Sequence, residues 1–148
     1  MSVYEFRSAS AEETIDRGRE ITKLLALPKF LVLRGDLGAG KTTLVKGIAE
    51  ALDAADADEV TSPTFTLIHE YEGVHEDQPV RFYHLDLYRI EVEGELGALG
   101  LDDLAGSNSL VLVEWGEKFP SVVRRSDGEI ALEATGVDSR KITLTLKE

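Results

Sequence analysis

The stretch Gly35-Asp36-Leu37-Gly38-Ala39-Gly40-Lys41-Thr42 fits the phosphate-loop pattern G-x-x-x-x-G-K-[ST] at every fixed position. The chemistry it implies is anion binding. Glycines let the backbone wrap an anion with its N–H groups, and a helix starting at the end of the loop adds the positive end of its dipole. Lys41 would reach the outer phosphates of a nucleotide, and the Thr42 hydroxyl would ligate Mg²⁺. A nucleotidase built this way needs a further carboxylate near the metal, usually at the C-terminal end of a buried strand. Two acids qualify: Glu114, after Leu110-Val111-Leu112-Val113, and Asp86, after Phe82-Tyr83-His84-Leu85. Charges there are costly unless paired or metal-bound. The catalytic candidates are therefore Lys41, Glu114 and Asp86, and the candidate metal ligands are Thr42, Glu114 and Asp86. The simpler alternative for either acid is a strand-terminal surface carboxylate.

Other residues are less telling. Thr61, Ser62, Thr64 and Thr66 carry hydroxyls that could sense a γ-phosphate or its metal, as switch loops do. On spacing alone, an ordinary turn explains them better. His84, inside an apolar strand, fits a satisfied core histidine more readily than a base. Trp115, the only tryptophan, is either core or an aromatic near the nucleotide or a partner.

The flanking elements suit the loop. Phe30 to Arg34 reads as a short buried strand before it. Lys41 to Leu52 reads as a helix after it, with Leu44, Val45, Ile48, Ala49 and Leu52 at three-to-four spacing. Upstream, Val3 to Phe6 alternates like an edge strand. Ser10 and Glu13 have capping-box spacing for a helix running towards Leu27, which Pro28 ends. Downstream, Asp53 to Glu59 is an acidic surface loop without the spacing of a calcium site. Strands near Phe65–Tyr71 and Val80–Leu85 form a hairpin across a polar turn, Glu72 to Pro79. Glu91 to Gly100, interrupted by three glycines, is at best a short helix that Leu101 to Leu104 continues. Leu110 to Val113 has the unbroken apolarity of a strand buried on both faces. Glu129–Thr135 and Lys141–Leu146 both alternate and form a terminal hairpin. The expected fold is a single α/β domain over residues 1–148, a phosphate-loop NTPase-like mixed sheet flanked by helices and closed by that C-terminal β-hairpin.

Bulk properties exclude several functions. No cysteine is present, which removes disulfides and thiolate metal sites. No run approaches a membrane span, and Met1 to Phe6 is not a signal peptide, so a soluble cytoplasmic protein is expected. The net charge of −12 disfavours direct binding to a nucleic acid backbone, which needs clustered Lys and Arg. Arg124-Arg125 and Arg140-Lys141 are the only adjacent basic pairs, so any RNA involved would be held by a partner.

Four segments together resemble the TsaE (YjeE) family of bacterial tRNA threonylcarbamoyl-adenosine modification. They are Gly35–Thr43 (GDLGAGKTT), Ser62–Leu67 (SPTFTL), His84–Arg89 (HLDLYR) and Val113–Glu117 (VEWGE). Their order, their spacing and the chain length all match, so the resemblance spans nearly the whole chain. The phosphate loop alone is generic, whereas the four in this order are highly specific. The resemblance implies an ATPase of weak intrinsic activity, using ATP and Mg²⁺, that binds a heterodimer of TsaB and TsaD. In that system TsaD transfers threonylcarbamoyl from its adenylate to N6 of the adenosine 3′ of the anticodon. The TsaE partner supports repeated turnover and has no direct hold on tRNA.

Carried over by position, the resemblance implies that Gly35, Asp36, Leu37, Gly38, Ala39, Gly40, Lys41, Thr42 and Thr43 hold the nucleotide phosphates. Glu114 becomes the Walker-B-like acid for metal or water, Asp86 the second acid, and Ser62–Thr66 a switch. Ser8 or Ser10 and Arg140 are candidates for the adenine pocket. The glycine-rich 91–100 stretch departs from the helix expected there.

Rival functions fit less well. A GTPase would carry N/T-K-x-D, and the only asparagine, Asn108, is followed by Ser109. A small metabolite kinase needs clamping arginines and a lid, and neither is evident. An adaptor that binds nucleotide without hydrolysing it is compatible with the same residues.

Overall fold

The computed structural model describes residues 1–36, 38–63, 67–104, 106 and 108–147. The chain runs β1 (Ser2–Ser8), α1 (Ala11–Leu24), β2 (Lys29–Arg34), α2 (Lys41–Ala51), β3 (Ile68–His75), β4 (Gln78–Asp86), α3 (Leu96–Leu99), α4 (Leu101–Leu104), β5 (Ser109–Glu114), α5 (Pro120–Arg125), β6 (Gly128–Ala134) and β7 (Arg140–Leu146). All seven strands form one sheet, in the order β1-β7-β6-β2-β5-β4-β3. Strands β6, β2, β5 and β4 are mutually parallel, whereas β1, β7 and β3 pair antiparallel at the two sides. The mixed sheet and the terminal hairpin are as expected.

Strand alternation sorts the core into two layers. Leu31 and Leu33 of β2, Phe82 of β4, and Leu110 and Leu112 of β5 face α1 and α2. Phe30, Val32, Tyr83, Leu85, Val111 and Val113 face the side covered by Leu96, Leu101 and Val122 of the short helices. All six residues of β5 are buried, as its unbroken apolarity requires of a central parallel strand.

Helix α1 begins at Ser10, whose hydroxyl accepts the Glu13 N–H at 3.1 Å, and it stops at Leu24. It lies so close to α2 that a Cβ on Gly47 would fall 1.9 Å from the Ile15 carbonyl oxygen. A Cβ on Gly18 would fall 2.4 Å from the Leu44 carbonyl oxygen. Two glycines thus bring the backbones together and seat the phosphate-loop helix.

Three segments differ from expectation. The β3–β4 hairpin turns at Glu76-Asp77 alone, both at positive φ, so most of the polar 72–79 segment is strand. Neither turn residue is the Gly or Asn that announces such a turn. Residues 91–104 form a 3₁₀ turn at Glu93–Glu95 and then α3 and α4, broken where Gly100 takes φ 64°. Helix α5 was not expected; Pro120 at its first position was the available signal. Leu37 and Thr64–Thr66, expected in the loop, the switch and the start of a strand, lie outside the described residues. Among the described residues, no helix is long and apolar enough to cross a membrane.

Candidate functional site

Strand β2 delivers the chain into the loop at the C-terminal edge of the parallel strands, and α2 leaves from it. Gly38 at φ 79° and Gly40 at φ 98° occupy left-handed backbone that only glycine adopts without strain. Ala39 N–H closes the turn on the Asp36 carbonyl at 3.0 Å. Gly40 caps α2 with no side chain of its own, so the first amides of the helix are not capped from that position.

Arg140, the first residue of β7, braces this loop from outside. Its Nε donates to the Ala39 carbonyl at 2.8 Å and one terminal nitrogen donates to the Gly38 carbonyl at 3.2 Å. Its other terminal nitrogen holds the Gly136, Val137 and Ser139 carbonyls of its own turn. With the loop carbonyls held by Arg140, the opposite edge of the backbone can present its N–H groups to an anion.

The acids arrive by strand register. Asp86 and Glu114 are Cα partners at the ends of the adjacent parallel strands β4 and β5. Both follow the alternation onto the face that packs against α2. Glu114 is 4% exposed, Asp86 3% and Lys41 7%. Lys41 Nζ lies 3.4 Å from Glu114 Oε1, and His84 Nε2 lies 2.5 Å from Glu114 Oε2. Burial pushes the Glu114 carboxyl up, but the hydrogen bond and charge of His84 and the Lys41 ammonium outweigh it. The group is held below the usual carboxylate range. One Asp86 oxygen accepts the Tyr88 N–H at 2.8 Å, which fixes the start of the following turn.

Lys41, Thr42, Thr43, Ser62, Asp86 and Glu114 line one cavity of about 410 Å³, with Gly38, Gly40 and Arg140 on its rim. Trp115, at φ 63°, places its indole 4.7 Å from Lys41 Nζ beside the same cavity. A second cavity of about 600 Å³ begins on the other side of the loop at Gly35, Asp36 and Ala39 and extends over β6 and β7. Ser10 stands outside both cavities as the cap of α1. Ser8, opposite Arg140 in the β1–β7 register, bonds Thr14.

Among the described residues, no group of three or more His, Asp or Glu is arranged to hold a metal unaided. The oxygen donors lining the cavity include the hydroxyls of Thr42, Thr43 and Ser62 and the carboxylates of Asp86 and Glu114. That hard-oxygen set suits Mg²⁺, which keeps waters and shares phosphate oxygens instead of filling a protein cage. The site therefore fits the metal. Sequence reasoning did not foresee the His84–Glu114 contact or the Arg140 brace on the loop carbonyls. The available signal for His84 was its place two residues before Asp86, on the same strand face.

Comparison with known proteins gives a consistent result. The sequence model of the family described as "Threonylcarbamoyl adenosine biosynthesis protein TsaE" matches residues 8–142. The chain is 39% identical over 146 residues to the tRNA threonylcarbamoyladenosine biosynthesis protein TsaE of Bacillus subtilis, covering 98% of this chain and 87% of that one. It is 34% identical over 137 residues to the TsaE protein of Treponema pallidum, covering 93% and 96%. The crystal structure of Bacillus subtilis YdiB superposes with a TM-score of 0.66 at 32% identity, covering 98% of this chain and 86% of that one. A matched family model, whole-length relatives and a shared architecture agree with the four sequence segments, and the chain belongs to the TsaE family.

Proposed function

We propose that this protein binds ATP with Mg²⁺ at Gly35–Thr43, hydrolyses it weakly, and thereby supports threonylcarbamoyl-adenosine modification of tRNA alongside a TsaB–TsaD transferase complex. The observation that carries this reading is the convergence of Lys41, Thr42, Asp86 and Glu114 on one cavity at the loop. Thr42, Asp86 and Glu114 would hold Mg²⁺, which supplies charge neutralisation to the phosphate oxygens when bound. Lys41 exchanges its carboxylate partner for a phosphate oxygen. Glu114 Oε1, released from Lys41, then accepts a hydrogen bond from the attacking water and orients it, while Oε2 stays on His84. The amides between Gly38 and Thr43 stabilise charge on the phosphates, as pre-aimed donors do.

The modification role is supported by the names of the relatives. The net charge of −12 supports an indirect relation to tRNA, with the partners holding the nucleic acid. The test is ATP turnover by wild type and Glu114→Ala, each with and without purified TsaB–TsaD. Expected are low turnover alone, higher turnover with the complex, and an ATP-binding but inactive Glu114→Ala. Absence of hydrolysis in every mixture would leave a nucleotide-binding adaptor. Wild-type turnover by Glu114→Ala would remove that residue from the chemistry.

A further inference from the structure

His84 is fully buried, and among the described residues the only hydrogen-bond partner of its ring is Glu114. Its other nitrogen, Nδ1, has none. An apolar side chain would fill the same space without burying an unpaired polar atom, so packing does not account for an imidazole here.

Register accounts for it. His84 is the Cα partner of Leu112, so Glu114 lies two residues further along the neighbouring strand and on the same face. That is a diagonal spacing which long side chains can bridge. On the other side, His69 is the direct partner of His84 across β3–β4, but its Nδ1 faces the Tyr71 hydroxyl at 3.4 Å. The His84 Nε2–H is left to one task, and it falls on Glu114 Oε2 while Lys41 faces Oε1. Once Lys41 turns to a phosphate, His84 is the contact that still fixes the carboxylate plane.

We propose that His84 is a positioning residue that holds the Glu114 carboxylate in the orientation needed to direct water at the bound nucleotide. The proposal rests on the reading of Glu114 as the hydrolytic acid. His84 is fully buried behind Glu114 and does not line the cavity. It acts by preventing rotation of Glu114 after Lys41 has left, which makes its effect one on turnover and not on binding.

Two substitutions separate this role from a structural one. Glutamine places its amide nitrogen near the position of Nε2, whereas asparagine places its own near Nδ1. Both bury a neutral amide in the same pocket, so their costs to folding are similar. ATP hydrolysis under saturating nucleotide, with TsaB–TsaD present, is measured for His84→Gln, His84→Asn and Glu114→Gln, together with ADP affinity by calorimetry. The expected result is that His84→Gln stays within about threefold of wild type. His84→Asn loses at least about tenfold in kcat, with ADP affinity within about twofold. Equal turnover by the two His84 variants, at any level, overturns the proposal, as does loss of ADP binding by both. Wild-type turnover by Glu114→Gln overturns instead the reading beneath it, and that outcome is visible separately in the same assay.

Discussion

Lys41 and Glu114 face each other at 3.4 Å across the mouth of the phosphate loop, each nearly excluded from solvent. The lysine that a phosphate would attract is thus already neutralised by the acid that hydrolysis would need. Such a contact keeps two buried charges compensated, and under the proposed function phosphate contacts would replace it. Removing one member of a buried pair strands the other. Here His84 keeps Glu114 partly compensated even without Lys41.

Lys41→Ala is accordingly expected to keep the fold and weaken ATP. A charge-assisted phosphate contact contributes about 1.5–3 kcal/mol, or roughly 10- to 150-fold in affinity. Isothermal titration measures this directly, and an unchanged dissociation constant would show that Lys41 does not reach the phosphates.

Arg140 offers a prediction of a different kind, because it holds the carbonyls of Gly38 and Ala39 and turns the backbone instead of touching the anion. Arg140→Ala is expected to weaken both ADP and ATP by about tenfold, the scale of one lost hydrogen bond to a charged group. A loss confined to adenine nucleotides, with other nucleoside triphosphates unaffected, would instead assign Arg140 to the base pocket. Comparing ATP with GTP in the same titration decides between them.

Gly47→Ala pits two effects against each other. Alanine in a helix interior gains up to about 1 kcal/mol over glycine. The added Cβ, however, would sit 1.9 Å from the Ile15 carbonyl oxygen, a backbone atom that can yield only if α1 moves. Overpacking of this kind costs about 1–3 kcal/mol. The clash should win, lowering Tm by several degrees in thermal denaturation. A raised Tm would mean that the two helices separate freely.

Acid should destabilise the ligand-free protein through Glu114. Burial pushes its carboxyl up, but His84 and Lys41 outweigh this and hold it below the usual carboxylate range in the folded state. The folded state therefore binds its proton less readily than the unfolded chain. The resulting stability is fully present above about pH 4.5 and is lost as pH falls through the folded value. Tm followed from pH 6 to pH 3 should fall more steeply in wild type than in Glu114→Gln. Parallel curves would show that the carboxylate is not held.

Much of this was legible in the sequence because it is local. The phosphate loop is written in consecutive residues, β5 in an apolar run, and the terminal hairpin in alternation. Asp86 and Glu114 could be chosen because each ends an apolar strand. What joins them to other residues was not legible, because it depends on register between distant segments. His84 meets Glu114 across 30 residues, and Arg140 meets Gly38 across 102. Spacing along one strand does not say which residue of another will lie opposite. The turn at Glu76-Asp77 and the short helix α5 escaped for a local reason. Their residues favour those conformations only weakly, and the packing around them decides.

The strand order also constrains when the molecule can become itself. β1 precedes β7 by more than 130 residues, yet among the described residues β7 is its only strand neighbour, and β6 must lie between β7 and β2. During synthesis β1 lacks the strand it pairs with until β7 emerges from the ribosome. The same strand brings Arg140 to the loop carbonyls. A nascent chain therefore carries its complete phosphate-loop sequence long before it owns the arginine that braces it.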